Sequence, residues 1–375
     1  MSATTERNGG FVPPPYPYER LDAFKPLAAN FEGGLIDLSI GTPCDPPPAS
    51  VIAALAASNS ERGYPPSIGS VGLRESFAAW MLRRFAVSIS PANIAACIGT
   101  KEFVGTLPQW MKLRSPKLDT VLYPAVAYPT YEMGAILAGC RAVAVPTNDR
   151  GGIDLTAISP EDAKRALLLW VNSPSNPTGA IDDLGAAAAW GRAHGVPVFS
   201  DECYAEFTWN ESAQSILQHG SEGVIAVHSL SKRSNLAGLR VGAYAGDPEL
   251  VHYLSEVRKH VGMMVPGPAQ AAGAAALNDD EHVKVQRDLY RRRLIRMADI
   301  LSRWSDIPVA LPDGGFYLWF QVGDAWQYTE RLVREAGTLV SPGDLYGEQG
   351  RGFIRAAVVQ NDVAIERVAQ RLGIA

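Results

Sequence analysis

A short stretch after an apolar run carries residue types that could do chemistry together. The run Val224–Val227 predicts a buried strand of a parallel sheet. Its end is followed by two serines, a lysine and an arginine, namely Ser229, Ser231, Lys232 and Arg240. Hydroxyls and a guanidinium suit a phosphate, because both donate hydrogen bonds to its oxygens. The lysine is a candidate nucleophilic amine, which a cationic or dry setting would make acidic. Taken alone, the stretch is equally consistent with an ordinary surface loop.

Polar residues follow other predicted strands as well. Thr100 and Lys101 open a predicted helix, whose free N–H groups form an anion site. The others supply a carboxylate, an amide and two phenols: Asp201, Asn176, Tyr128 and Tyr204. Ligands of open α/β sheets bind at the carboxyl ends of the strands, so we expect one shared pocket.

This set suits a phosphorylated aromatic aldehyde that has a ring nitrogen. Lys232 would form an imine with the aldehyde, and Asp201 would keep the ring nitrogen protonated. Asn176 and Tyr204 would bond the phenolate oxygen, and Tyr128 would lie against the ring. A nucleotide is less expected, because the sequence has neither GxGxxG nor GxxxxGK[ST].

The elements that must position these residues alternate between strand and helix from about residue 94 to residue 244. This alternation predicts a three-layer α/β/α domain with a mostly parallel sheet. Helical patterns over 248–261 and 269–300, followed by strands at 309–311, 315–320 and 352–358, predict a smaller α+β C-terminal domain. The predicted division is an N-terminal arm and strand joining the small domain (1–45), a large domain (46–268) and a small domain (269–375). The segment 9–18, rich in proline and aromatic residues, predicts an extended arm rather than a helix, either a disordered tail or an arm that docks on a partner subunit.

Composition excludes several classes of function. The 375 residues are 47% hydrophobic and 19% charged, which is typical of a globular protein. A net charge of -5 argues against a nucleic-acid surface. The scattered cysteines have no spacing for zinc, so no metal is expected. Met1–Arg7 lacks the pattern of a signal peptide and no apolar run approaches about 20 residues, so we expect a cytoplasmic protein without a membrane segment.

Three motifs appear in the order found in one enzyme family. They are Asn-Pro-Thr-Gly at 176–179, Asp-Glu-x-Tyr at 201–204 and Ser-x-Ser-Lys-x7-Arg-x-Gly at 229–242. With them, the chain from Gly41 to Arg355 resembles the class I/II aminotransferases, which are fold-type I pyridoxal-phosphate enzymes. The resemblance implies pyridoxal 5′-phosphate as cofactor, with amino acids and 2-oxo acids as substrates.

The resemblance also implies a role for each matching residue. The catalytic set would be Lys232, as Schiff-base lysine and base for the Cα proton, with Asp201 and Tyr204. The cofactor would also contact Tyr128, Asn176, the Thr100 and Lys101 backbone, Ser229, Ser231 and Arg240. Tyr64 resembles the tyrosine that reaches the phosphate of the partner subunit, which implies a homodimer with shared sites. Arg355, Asn176 and the Gly41 backbone would bind the substrate α-carboxylate.

The sequence around Lys232 and Asn176 further resembles actinobacterial N-succinyldiaminopimelate aminotransferases. That resemblance implies a step of lysine and diaminopimelate synthesis, with glutamate and 2-oxoglutarate as the second substrate pair. The arm and the loop 62–70 are candidate walls for the distal carboxylate. A broader aspartate, alanine or aromatic aminotransferase and a β-lyase of the same fold remain alternatives. A ligand-sensing domain of a transcription regulator is disfavoured, because the sheet pattern begins by Leu35 and leaves no room for a helix-turn-helix domain.

Overall fold

The structure is a computed structural model that describes residues 10–210 and 212–374. The signal-peptide prediction for Met1–Arg7 concerns residues outside this description. Among the described residues, no helix is both long and apolar enough to cross a membrane.

A seven-stranded sheet forms the middle of the molecule. The strands are β2 (Ile94–Cys97), β3 (Thr120–Pro124), β4 (Arg141–Val145), β5 (Ala166–Asn172), β6 (Val198–Asp201), β7 (Val224–Ser229) and β8 (Gly242–Gly246). Their spatial order is β2-β8-β7-β6-β5-β3-β4, and β8 alone runs antiparallel to its neighbours. The mostly parallel sheet predicted from the alternation is confirmed.

Helices cover both faces of this sheet, because its central strands are buried on both sides. Every residue of β5 is buried, which requires a hydrophobic layer on each side. One layer contains α1 (Ala49–Ala56), α2 (Val71–Phe85), α6 (Leu184–His194) and α9 (Gly267–Leu277). The other contains α3 (Thr100–Arg114), α4 (Thr130–Leu137) and α8 (Pro248–Val261). The short helices α5 (Pro160–Arg165) and α7 (Leu230–Arg233) connect strands.

The C-terminal part has its own core and is completed by the N-terminal segment. Strands β11 (Ser341–Pro342), β12 (Phe353–Ala357) and β9 (Tyr317–Gln321) form an antiparallel sheet in that order. The strand β1 (Ile36–Asp37) pairs in parallel with β10 (Thr338–Leu339). Helices α10 (Glu281–Ser305), α11 (Ala325–Ala336) and α12 (Asp362–Arg371) pack on these strands around Leu318, Leu332 and Ile354.

The structure differs from the sequence predictions in two places. Val309–Leu311 is not a strand; Pro308 and Pro312 flank it and cannot donate ladder hydrogen bonds, and the Val309 N–H donates to Ser302 Oγ instead. The arm ends in 3₁₀ turns over Pro17–Ala28, with proline at the first helical position, where its missing N–H costs nothing. The predicted boundary at residue 268 falls inside α9, which packs against α1 and α2. The domain division itself stays a prediction.

A buried ionic network holds the short helix α7 that carries Lys232. Arg233, beside that lysine, is only 3% exposed, and its Nε donates to Glu206 Oε1 at 3.1 Å. Trp80 Nε1 and Arg84 Nε donate to the same carboxylate at 2.8 and 2.9 Å. Removing one partner of a buried pair typically costs about 3–5 kcal/mol, so this network fixes α7 firmly.

Candidate active site

A cavity of about 300 Å³ opens at the carboxyl ends of the central strands. Every site residue predicted from the sequence lines it except Tyr64; the twelve are Gly41, Thr100, Lys101, Tyr128, Asn176, Asp201, Tyr204, Ser229, Ser231, Lys232, Arg240 and Arg355. The N-terminal arm and β9 complete the wall with Tyr16, Tyr18 and Tyr317. The expectation that strand ends gather these residues in one place is met by the geometry.

Asp201 is the last residue of β6 and brings a carboxylate to the floor of the cavity. The residue is 7% exposed, and its oxygens accept hydrogen bonds from Tyr131 Oη at 2.9 Å and the Cys203 N–H at 3.2 Å. Burial raises the pKa of Asp201, because desolvation outweighs these hydrogen bonds. The neighbouring strand holds the backbone in place, since Asn172 Nδ2 donates to the Asp201 carbonyl at 2.8 Å.

Lys232 projects into the cavity from α7, directly after β7. Burial lowers the pKa of this lysine to about 8, and the positive charges of Arg355 and Arg240 act in the same direction. Its ammonium donates to the Gly41 carbonyl. An amine with this pKa is partly neutral near physiological pH, so it can act as a nucleophile and as a base.

Three chain segments form a cradle for an anion. Helix α3 starts after Gly99, which has no side chain that could cap the helix. The first N–H groups of α3 have no partner within the helix and are available to an anion in the cavity. The hydroxyls of Ser229 and Ser231 lie on the same cavity wall. Arg240 adopts φ 55°, a left-handed conformation that is costly for a non-glycine residue. Its guanidinium packs against Gly99, where a Cβ atom would collide with it.

Arg355 lies in β12 on the opposite wall and is 2% exposed. It donates to Asn176 Oδ1 at 2.9 Å and to the Ser39 carbonyl. Its guanidinium carbon lies 4.4 Å from the ring centroid of Tyr317 and 4.7 Å from that of Tyr346. The Nε–H finds no acceptor among the described residues. A buried, oriented guanidinium with a free donor is suited to a carboxylate.

Tyr64 lies elsewhere. Its side chain is 97% exposed on the surface, and no residue of the loop 62–70 lines the cavity of this chain. The arm contributes instead: Tyr16 Oη accepts a hydrogen bond from Lys101 Nζ at 3.0 Å, and Tyr18 Oη donates to Tyr346 Oη at 2.9 Å. Of the two walls suggested for a distal substrate group, the described chain supplies the arm.

Sequence reasoning missed several groups that contact the predicted site residues, among them Tyr131, Asn172 and Tyr317. Tyr131 lies in the first turn of α4, three residues after Tyr128, which precedes the helix, and this spacing could have indicated it. Asn172 ends β5 and was visible as a polar residue at a strand end. Tyr317 sits in the apolar run of β9, where nothing distinguishes it from a core residue.

Comparison with known proteins identifies the family. The family model "Aminotransferase class I and II" matches residues 34–372. The 4-dedimethylamino-4-oxo-anhydrotetracycline transaminase of Streptomyces rimosus is 40% identical over 370 residues, covering 96% of this chain and 99% of the relative. The LL-diaminopimelate aminotransferase of Aquifex aeolicus is 34% identical, covering 96% of each chain. The solved structure of a probable N-succinyldiaminopimelate aminotransferase from Thermus thermophilus superposes with a TM-score of 0.85 at 30% identity, covering 96% of this chain and 100% of that one.

The chain therefore belongs to the class I and II aminotransferases, which use pyridoxal 5′-phosphate to act on amino acids and 2-oxo acids. The residues present fit that cofactor. The buried Asp201 carboxylate has no cationic partner among its hydrogen bonds and suits a protonated ring nitrogen. The cradle at Gly99 and Arg240 suits a phosphate, and Lys232 suits an aldehyde. The assignment of each residue to a cofactor atom stays a prediction.

The lowered pKa of Lys232 leads to a measurable reactivity. In cofactor-free protein, acetic anhydride should label Lys232 with half-maximal rate near pH 8, because only the neutral amine reacts. Peptide mass spectrometry over a series of pH values would follow the labelling.

Lys25 is the internal control. Its hydrogen bond to Asp22 raises the pKa of Lys25, so its labelling should begin at higher pH than that of Lys232. Labelling of Lys232 only at the same high pH as Lys25 would contradict the description of its surroundings.

Proposed function

We propose that this protein is an aminotransferase for an amino acid with a distal carboxylate, and specifically for N-succinyl-LL-diaminopimelate with 2-oxoglutarate as amino acceptor. The observation that carries the proposal is Lys101, a cationic side chain of the cavity that the proposed site assigns no other role, in addition to the buried Arg355. Lys101 Nζ also lies 4.4 Å from the ring centroid of Tyr16, so the arm holds it at the cavity mouth. A substrate with carboxylates at both ends of a long chain would use both cations.

In this proposal, Arg355 and Asn176 bind the substrate α-carboxylate. Bidentate pairing with Arg355 fixes the orientation of the amino acid, so that its Cα–H points toward Lys232. Lys232 Nζ then takes the Cα proton and later gives it to the carbon on the other side of the substrate nitrogen. A pKa of about 8 suits an amine that both takes and gives a proton near neutral pH. When bound, pyridoxal phosphate supplies an aldehyde that links to amines and a protonated ring that withdraws electrons.

The other residues hold the cofactor in its working state. Asp201 keeps a proton on the ring nitrogen, because a buried carboxylate gains most from a cationic partner. Tyr204 and Asn176 donate to the ring oxygen, and Tyr128 covers one face of the ring. The N–H groups of Thr100 and Lys101, with Ser229, Ser231 and Arg240, bind the phosphate.

The names of similar proteins support this substrate class without deciding the substrate. One solved neighbour is named a probable N-succinyldiaminopimelate aminotransferase and one relative an LL-diaminopimelate aminotransferase, while the 40% identical relative is named for an anhydrotetracycline ketone. A broader aspartate, alanine or aromatic aminotransferase is therefore the main alternative.

A panel of amino donors tests the proposal. With 2-oxoglutarate as acceptor, glutamate formation should have its highest kcat/KM with N-succinyl-LL-diaminopimelate, compared with LL-diaminopimelate, aspartate, alanine and phenylalanine. The Lys101→Met variant should raise the KM for the succinylated donor by roughly 2- to 5-fold, which is the scale of one ion pair at an exposed lysine. Its KM for alanine should change little, since alanine has no distal carboxylate.

Lys117→Met is the matched control, because Lys117 is exposed and does not line the cavity. Preference for a common amino acid would overturn the succinylated substrate. An equal effect of Lys101→Met on alanine and on the succinylated donor would remove Lys101 as the distal anchor.

We also propose a homodimer in which Tyr64 of each subunit completes the phosphate site of the other. The nearly full exposure of Tyr64 on its own chain supports this arrangement, because a phenol at 97% exposure contacts almost nothing in its own subunit. A two-fold dimer would present the same tyrosine at both sites.

Complementation between two defective variants tests this arrangement. Tyr64→Ala should be impaired at limiting cofactor and Lys232→Ala should be inactive. Refolding them together should restore roughly a quarter of wild-type activity, since half of random dimers carry one intact site. Sedimentation would establish the assembly. An active monomer, or failure of the mixed protein to recover activity, would contradict the proposal.

A further inference from the structure

Tyr317 stands between the parts of the cavity that have separate roles in the proposed function. It is 1% exposed in β9, and its hydroxyl lies 2.6 Å from that of Tyr204. The two rings meet edge to face, with centroids 5.4 Å apart. A hydrogen bond of this length between two buried phenols is well formed, and either oxygen can be the donor.

The same phenol contacts the substrate side of the cavity. The guanidinium carbon of Arg355 lies 4.4 Å from the centroid of the Tyr317 ring. Gly41 packs so closely on the Tyr317 hydroxyl that a Cβ at Gly41 would collide with it. The Gly41 carbonyl accepts a hydrogen bond from the Lys232 ammonium. Tyr317 therefore contacts Tyr204, Arg355 and the backbone that holds Lys232.

We propose that Tyr317 is a positioning residue whose O–H donates a hydrogen bond to Tyr204 Oη and thereby strengthens the hydrogen bond of Tyr204 to the ring oxygen of the cofactor. This inference rests on the proposed function, in which Tyr204 donates to that oxygen. If Tyr204 uses its own proton for the cofactor, its oxygen can only accept from Tyr317, which fixes the direction of the pair. Hydrogen bonds in such a chain polarise one another in a dry setting, so the outer donor strengthens the inner one.

Arg355 supports this direction. Burial raises the pKa of Tyr317 to about 12, while the positive charge of Arg355 acts against that rise and makes the phenol a better donor. The ring also lies under the guanidinium, which holds its orientation. Tyr317 thus has both a fixed position and a polarised proton.

A purely structural role would be shared by another tyrosine of the same cluster. Tyr290 packs in the aromatic group that includes Tyr204, Phe316 and Tyr317, and it is fully buried. Its hydroxyl has no partner among the described residues. Tyr290→Phe therefore removes a buried hydroxyl from the same cluster without touching the Tyr317–Tyr204 pair.

The test reads the visible absorption band of the bound cofactor during a pH titration. Loss of the hydrogen bond from Tyr317 should leave the negative charge of the cofactor ring oxygen less stabilised. The nitrogen that joins Lys232 to the cofactor, next to that oxygen, should then hold its proton more tightly. Tyr317→Phe should therefore raise the pH at the midpoint of the absorption change by roughly half a unit, and Tyr204→Phe should raise it by more. Tyr290→Phe should leave the midpoint unchanged.

A double-mutant cycle and an opposite-sign variant complete the experiment. Adding Tyr317→Phe to Tyr204→Phe should give no further shift, because Tyr317 acts through Tyr204. Replacing Tyr317 by 3-fluorotyrosine, a more acidic phenol that keeps the packing, should lower the midpoint, and it tests the inference even if Tyr317→Phe folds poorly.

Each outcome separates this inference from the proposed function. If wild-type protein forms no visible band with pyridoxal phosphate, the proposed role of Lys232 fails. If the band forms but neither Tyr317 variant moves its midpoint, or if the two phenylalanine shifts simply add, the inference about Tyr317 is wrong and the proposed function is unaffected.

Discussion

A buried carboxylate that accepts hydrogen bonds only from neutral donors, among the residues that the structure describes, is the constraint on which this site depends. Asp201 ends a central strand and accepts hydrogen bonds from neutral donors, Tyr131 and the Cys203 backbone. Such a group is costly to bury in its charged form, and a cationic ligand at the same place recovers that cost. The anion cradle, the Lys232 amine with its lowered pKa and the Tyr128 ring line the same cavity as Asp201.

The fold places this constraint by ordinary sheet geometry. Parallel strands β5, β6 and β7 end at one edge, which places Asn172 beside Asp201 and Ser229 two residues beyond the Val227 that pairs with Asp201. The C-terminal sheet then closes the cavity from the other side with Arg355 and Tyr317. Because the two sides belong to different sheets, the Tyr204–Tyr317 pair joins the cofactor side of the proposed site to the substrate side.

The sequence was most informative where polar residues directly follow strands. Asp201 and Lys232 are polar residues after apolar runs, and their motifs occur in the order of the family, so their place in one cavity could be predicted. Tyr317 could not, since it pairs with a residue 113 positions away and looks like core in its own strand. The prediction of a strand at Val309–Leu311 was wrong, because the two flanking prolines have no N–H to donate to a neighbouring strand. Tyr64 remains a prediction, since its proposed partner is a second subunit.

The most direct measurement compares the unfolding of cofactor-free wild type and Asp201→Asn as pH is varied. Because burial raises the pKa of Asp201, the stability linked to its protonated form is present below the usual aspartate range and is lost as pH rises through the raised pKa. The asparagine variant should therefore be the more stable protein at pH 8, with the difference closing in acid, and added pyridoxal phosphate should reverse the order.

Asp119→Asn is the matched control of opposite sign. The hydrogen bond with Arg165 lowers the pKa of Asp119 to about 2, so this variant should lose stability at pH 8. If cofactor-free Asp201→Asn is instead less stable than wild type at pH 8, then Asp201 is already satisfied within the protein. That result would contradict the central claim that this carboxylate awaits a cationic ligand.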